Sequence, residues 1–98
     1  MSNWIGATPW GSGNALNITA TTVVKTAPGA VLQISVNVAG SAAGAVYDAA
    51  ATNGNIAANL VAPIPLAVST SPLTYNFICQ TGILIVPPTG GTVSVSYA

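Results

Sequence analysis

Lys25 and Asp48 are the only charged side chains in the 98-residue chain, and neither histidine nor glutamate accompanies them. That inventory decides most of the available chemistry. Paired-carboxylate hydrolysis needs two acids flanking a bond, and one acid is present. Serine and cysteine nucleophiles need a base to take their proton, and the histidine that usually serves is missing. A zinc site takes three or four nitrogen or sulfur ligands, whereas Cys79 is the single thiol. Gly90-Gly91 and the stretch from Gly11 to Gly13 carry neither the lysine of a phosphate loop nor the spacing of a dinucleotide fingerprint. The chain is therefore read as non-enzymatic, with no catalytic residue, no cofactor-binding residue and no metal site.

The two charges invite a different reading. Each falls near the end of a predicted strand, where Lys25 and Asp48 could meet across a sheet edge or between subunits. An exposed pair would contribute only about 0–1 kcal/mol, so it would not define the fold. Cys79 cannot form an intrachain disulfide, and its neighbours Phe77 and Ile78 suit a buried strand, which makes it a small core hydrophobe.

The scarcity of charge bears on the surroundings. Charged residues make up 2% of the chain, against roughly 25% in typical domains. Hydrophobic residues make up 51%, enough to fold rather than remain a flexible linker. A net charge near zero promotes association, so much of this surface is expected to face copies of the chain or a larger assembly. A single lysine cannot neutralise a run of phosphates, so nucleic acid is not an expected partner. Nor is a membrane, since the apolar runs, such as Ile83 to Val86, fall far short of the roughly 20 residues a spanning helix needs. Met1 to Trp10 has no basic start and no apolar core, so synthesis in the cytoplasm without a signal peptide is expected.

The elements that would carry such a surface are strands. Leu32, Ile34, Val36 and Val38 alternate with Gln33, Ser35 and Asn37, the period of a strand with one apolar face, and Val31 intrudes on the polar side. A strand is predicted from about Asn17 to Lys25, rich in threonine and valine. Ala27-Pro28-Gly29 turns it into the next, as a hairpin or as a crossing between sheets. A short strand follows at Ala45–Ala49. Asn53-Gly54 is the strongest hairpin-turn dipeptide, and Ile56 to Val61 fits a strand or a helical turn equally. Pro63 and Pro65 restrict Ile64 to Val68 to an edge at best. Leu73, Tyr75, Phe77 and Cys79 alternate again, Ile83 to Val86 reads as a central strand covered on both faces or as one whose outer face meets a neighbour, and Val93, Val95 and Tyr97 close the chain.

Seven to eight short strands at this spacing, with no convincing helix, predict an all-β fold, an antiparallel β-sandwich of immunoglobulin-like or jelly-roll topology. It occupies residues 15–98 as one domain behind an irregular N-terminal arm, residues 1–14, broken by Gly6, Pro9, Gly11 and Gly13. Trp4, Ile5 and Trp10 in that arm either fold back over the domain's own core or anchor on a neighbouring subunit, as tryptophan often does at interfaces. With Lys25 and Asp48 they are the candidate assembly residues.

Four stretches carry a resemblance. Gly44 to Ala49 (GAVYDA), Asn53 to Ala57 (NGNIA), Phe77 to Val86 (FICQTGILIV) and the terminal GGTVSVSYA resemble small structural proteins encoded in phage and prophage gene clusters. The likeness spans about Leu32 to the C-terminus. Such proteins are capsid decoration or cement proteins, head fibres and tail accessory proteins, commonly β-rich and homotrimeric. The resemblance implies a virion protein made in the host cytoplasm, whose partners are copies of itself and the major capsid protein or another virion protein. The alternative is a carbohydrate- or receptor-binding module using Tyr47, Tyr75, Tyr97 and the Asn53–Asn55 loop.

Overall fold

A computed structural model describes residues 13–98. Eight strands make it up: β1 (Gly13–Ile18), β2 (Thr22–Lys25), β3 (Gly29–Val38), β4 (Gly44–Tyr47), β5 (Leu60–Ile64), β6 (Leu73–Cys79), β7 (Ile83–Val86) and β8 (Thr92–Tyr97). Two short 3-10 turns, Thr52–Gly54 and Ala57–Asn59, lie between β4 and β5. The first sheet has the order β1-β8-β3-β6 and the second β2-β7-β4-β5. All neighbours are antiparallel.

The pairings nest. First pairs with last (β1 with β8), then β2 with β7, β3 with β6 and β4 with β5. Every connection except that from β4 to β5 crosses between sheets. A long hairpin rolled on itself produces this order, which is the jelly-roll form of the sandwich. It selects jelly-roll over immunoglobulin-like, and it makes the link from β2 to β3 a crossing between sheets rather than a hairpin.

The core lies between the sheets and is aliphatic. Ile18, Val31, Ile34, Val36, Cys79, Val93 and Val95 of the first sheet meet Val46, Ile64, Ile83 and Ile85 of the second. Branched side chains suit this packing because they fill a pleated surface with few rotamers to lose. No polar or charged side chain among the described residues is buried, so none needs an interior partner.

Several local expectations change. The predicted strand over Asn17 to Lys25 is two strands in different sheets, split at Thr19–Thr21. Gly13 and Asn14, assigned by sequence to the irregular arm, open β1. In β3, Val31 is fully buried while Val38 is 50% exposed, the reverse of the simple alternation. Two register shifts against β8 are the cause, one between Val31 and Gln33 and one between Val36 and Val38. Each changes the parity at its end of the strand, while Ile34 and Val36 between them stay in the core. Asn53-Gly54 sits in a 3-10 turn rather than a two-residue hairpin. The stretch from Ile56 to Val61 holds both of its alternatives in succession, a 3-10 turn and then β5.

The edges are β1 and β6 in one sheet, β2 and β5 in the other. β5 contains Pro63, which an edge tolerates because a missing N–H there breaks no ladder. Both β1 and β6 carry an asparagine in the left-handed region, Asn17 at φ 55° and Asn76 at φ 53°. Each lies within a register shift, where its strand has one residue more than its partner. Asparagine accepts this conformation better than other non-glycine residues. At the far end, Gly90 takes φ 76° in the turn between β7 and β8, closed by the Gly91 N–H donating to the Pro88 carbonyl at 2.7 Å.

Candidate interaction surface

Asp48, the one acidic side chain, follows directly on β4. Its Oδ2 accepts the Gln80 N–H at 2.8 Å, and its Oδ1 accepts those of Thr81 at 2.7 Å and Gly82 at 3.3 Å. The carboxylate therefore fills the turn between β6 and β7 and ties it to the end of β4. Partial burial pulls its pKa up, but the three N–H donors favour the anion more strongly and hold it below the ordinary aspartate value. Lys25 ends β2, and its side chain runs over Gly29: a Cβ added there would lie 3.1 Å from the Nζ. Both groups thus lie near strand ends, as the sequence suggests, but Asp48 is engaged by backbone. Trp4, Ile5 and Trp10 lie outside the described residues.

Cys79 is fully buried. Burial first, and the nearby Asp48 charge second, push its thiol pKa up. It stays protonated at neutral pH and makes a poor nucleophile.

The tyrosines do not form a stripe. Tyr47 lies in register with Leu84 on the outside of the second sheet, Tyr97 packs beside Gly13, and Tyr75 bridges two edges. The Tyr75 hydroxyl donates to the Pro63 carbonyl at 2.8 Å, joining β6 of one sheet to β5 of the other. Tyr75→Phe should keep the ring packing and lose this bond, lowering stability by about 1 kcal/mol in denaturant titration. A loss under a few tenths would mean that water substitutes fully for the contact.

The outer faces of the two sheets differ. On the first sheet Asn14, Ser96, Gln33 and Thr74 stand in register across all four strands. Beside them Asn37 donates to Ser94 Oγ at 2.8 Å and Ser35 Oγ donates to Asn37 Oδ1 at 3.1 Å. Hydroxyl and amide groups dominate the middle of this face, around a shallow depression of about 130 Å³ lined by Asn14, Leu16 and Ser94. On the second sheet the corresponding row is Val23, Leu84, Tyr47 and Leu60. Leu84 is fully buried even though its neighbours Ile83 and Ile85 point into the core, so β7 is covered on both faces.

Exposed apolar side chains are not scattered. Eight large ones are exposed among the described residues. Leu16, on β1, stands apart from the rest. Ile56, Leu60, Phe77 and Ile78 lie at the end of the sandwich where β5 begins and β6 ends, Leu60 on the outer side of the second sheet and Ile78 on the outer side of the first. Two hydrogen bonds hold that corner: Asp48 N–H to the Asn59 carbonyl at 2.8 Å and Gln80 N–H to the Asp48 carboxylate. Val38, Leu66 and Val68 gather at the other end of the same flank. There the β5–β6 loop lies along β3, with the Ser69 N–H on the Val36 carbonyl at 3.1 Å and the Gly40 N–H on the Leu66 carbonyl at 2.8 Å. Sequence periodicity assigns Phe77 to the core; it stands opposite fully buried Val31 and on the parity of Cys79, yet it is 43% exposed because β6 is the edge of its sheet.

No family model, curated protein or solved structure matches the chain.

Proposed function

We propose that this chain is a non-enzymatic structural subunit of a bacteriophage particle, a capsid decoration or cement protein that covers junctions between capsid subunits. The carrying observation is the flank of β5 and β6, where seven of the eight exposed large apolar side chains lie on a molecule with two charges. Large apolar side chains exposed along one flank of a small domain mark a place where another protein sits. Charged residues are depleted at the centres of such contacts, and this chain is depleted of them nearly everywhere.

The jelly roll supports the reading by analogy, since capsid proteins and lectins use this architecture. A fold does not fix a function, however. The assembly part of the proposal rests on the flank, and the virion part on the resemblance of the GAVYDA and FICQTGILIV stretches. Partners are then copies of the chain itself and the major capsid protein or another virion protein. The carbohydrate-binding alternative needs the tyrosines to act together, and they are dispersed over three places.

Mass spectrometry of purified particles from a host carrying the gene tests this. The chain should be present at a copy number comparable to that of the major capsid protein. A handful of copies per particle would move it to a head fibre or tail, and its absence from particles would overturn the proposal.

A further inference from the structure

The four edge strands are not equally protected. β2 has four residues, a register shift and Lys25 at its end. β5 carries Pro63 in its middle. β1 and β6 are longer and uncharged, and each has a left-handed asparagine. What separates β6 from β1 is its last part. Ile78 is 75% exposed, with Phe77 before it and, at the same end of the flank but on the second sheet's side, Leu60 and Ile56. Charge, proline or cover normally blunts such an edge, and the run from Phe77 to Cys79 has none of these.

The ladder shows which way the free backbone points. Ile78 stands opposite Ala30 on β3. The Ala30 N–H and C=O are both bonded to Ala98, each at 2.9 Å, on the other side of β3. Antiparallel pairs alternate between bonded and non-bonded positions, so the N–H and C=O of Ile78 turn away from β3 and face outward. An outward-facing donor and acceptor beside a large exposed aliphatic side chain is a seat for another strand.

We infer that this seat is filled by β6 of a second copy, antiparallel across a two-fold axis at Ile78, so that the two Ile78 residues exchange backbone hydrogen bonds and the two first sheets become one of eight strands. The inference rests on the assembly reading above and names one of its contacts. A two-fold contact brings each residue against its own counterpart, so any charge on the edge would repel itself. β6 carries none, and Asp48, the one charge in the corner, is engaged by the turn from Gln80 to Gly82. The same neutrality gives no electrostatic means of selecting a charged foreign partner. A stable contact needs about 800 Å² per partner, roughly one-sixth of the 4932 Å² surface. The pairing therefore has to draw in Phe77, Leu60 and Ile56 alongside the strand.

Analytical ultracentrifugation of the full chain tests it, with circular dichroism to check folding. The wild-type chain should sediment as a dimer or a larger even-numbered species. Ile78→Lys sets two ammonium groups against each other and should weaken dimerisation about a hundredfold or more, without touching the core. Ile78→Pro removes the outward N–H as well as the side chain and should dissociate the pair more fully than Ile78→Ala, which keeps the N–H, so the difference reports on the backbone contact. Leu16→Lys, on the opposite edge, should leave association unchanged. A wild-type monomer or trimer, or an Ile78→Lys chain that still dimerises, would overturn the pairing. Attachment to particles separates this outcome from the broader reading. A monomer whose attachment is abolished by Ile78→Lys means that the flank meets a different protein; the self-pairing then falls and the assembly role stands. A monomer that never attaches removes both.

Discussion

Asp48→Ala should lower stability by about 2–3 kcal/mol, and Asp48→Asn by somewhat less. The carboxylate accepts three backbone N–H groups from residues 32 to 34 positions later in the chain. Hydrogen bonds to a charged group contribute roughly 1.5–3 kcal/mol each when water is excluded. Two of these are exposed, so solvent replaces part of what is lost and the total stays well below three full bonds. An asparagine oxygen can still take Thr81 and Gly82, while its NH2 group faces the Gln80 donor. The pH dependence is sharper evidence than the magnitude. Asp48 has its pKa lowered in the folded chain, so its contribution is fully present above the unfolded value. It is lost as pH falls, from about pH 5 down through the depressed folded value. With no glutamate and no histidine, the remaining acid-range titration belongs to the chain terminus. Urea midpoints of the wild-type chain should therefore fall on acidification, while those of Asp48→Asn stay nearly flat. Parallel acid profiles for the two chains would show that the turn does not depend on this anion.

The division between what could be read from the sequence and what could not follows from the range of the signals. Alternation reports faces, so β3, β7 and β8 were legible, and so was the burial of Cys79. Proline reports a missing donor, and it points to an edge segment at Ile64 to Val68, but the edge strand β5 runs from Leu60 to Ile64 with Pro63 inside it and stops where that segment is expected to start. Alternation does not report partners. The nested pairing of β1 with β8 and β2 with β7 joins strands about sixty to eighty residues apart, and nothing local encodes it. A register shift also inverts the alternation without changing composition. For that reason Val31 turns into the core and Val38 out of it at the two shifts of β3, whereas Phe77 keeps its parity opposite Val31 and is exposed because β6 is an edge. Asn17 and Asn76 are residues that tolerate positive φ, a weak sign of both irregularities. The capping role of Asp48 was invisible, because its donors are main-chain groups on a turn more than thirty residues away.

The same limit applies to the surface. Composition alone said that an uncharged chain should be covered, but it could not say where. The folded chain brings Ile56, Leu60, Phe77 and Ile78 to one end of the same flank because β5 and β6 are the edges of different sheets on one side of the sandwich. Tyr75 and Asp48 join those edges through Pro63 and the turn at Gln80. The apolar corner is thus a product of the jelly-roll connection rather than of any contiguous hydrophobic run. This also explains why no single segment of the sequence looks like a binding motif.

Gly44→Ala should be the most disruptive single-methyl change among the described residues, lowering stability by about 3 kcal/mol or more. Gly44 opens β4 where β7 leaves the second sheet toward β8. An added Cβ would fall on the Val86 carbonyl oxygen, 2.7 Å from the Pro87 carbonyl carbon and 2.8 Å from the Pro88 nitrogen. These are backbone atoms, and Pro87 and Pro88 are buried, so no side chain can swing aside. Nor can the segment retreat easily. The Ser41 N–H bonds the Thr89 carbonyl at 2.9 Å and the Thr89 N–H bonds the Ala42 carbonyl at 3.1 Å, knitting the β3–β4 and β7–β8 connections together. Overpacking of a well-fitted interior costs about 1–3 kcal/mol, and more where the obstacle is rigid. Gly90→Ala is the instructive comparison. A Cβ there meets nothing within 4 Å, but the residue holds φ 76°, so only the left-handed backbone penalty of about 1–2 kcal/mol applies. Gly90→Asn should recover much of that, whereas no larger residue should rescue position 44. Urea titration of the three variants, read as midpoint shifts at constant slope, separates the two causes. If Gly44→Ala were the mildest of them, the close approach of β4 to Val86 and Pro87 would be wrong, and with it the packing that closes this end of the sandwich.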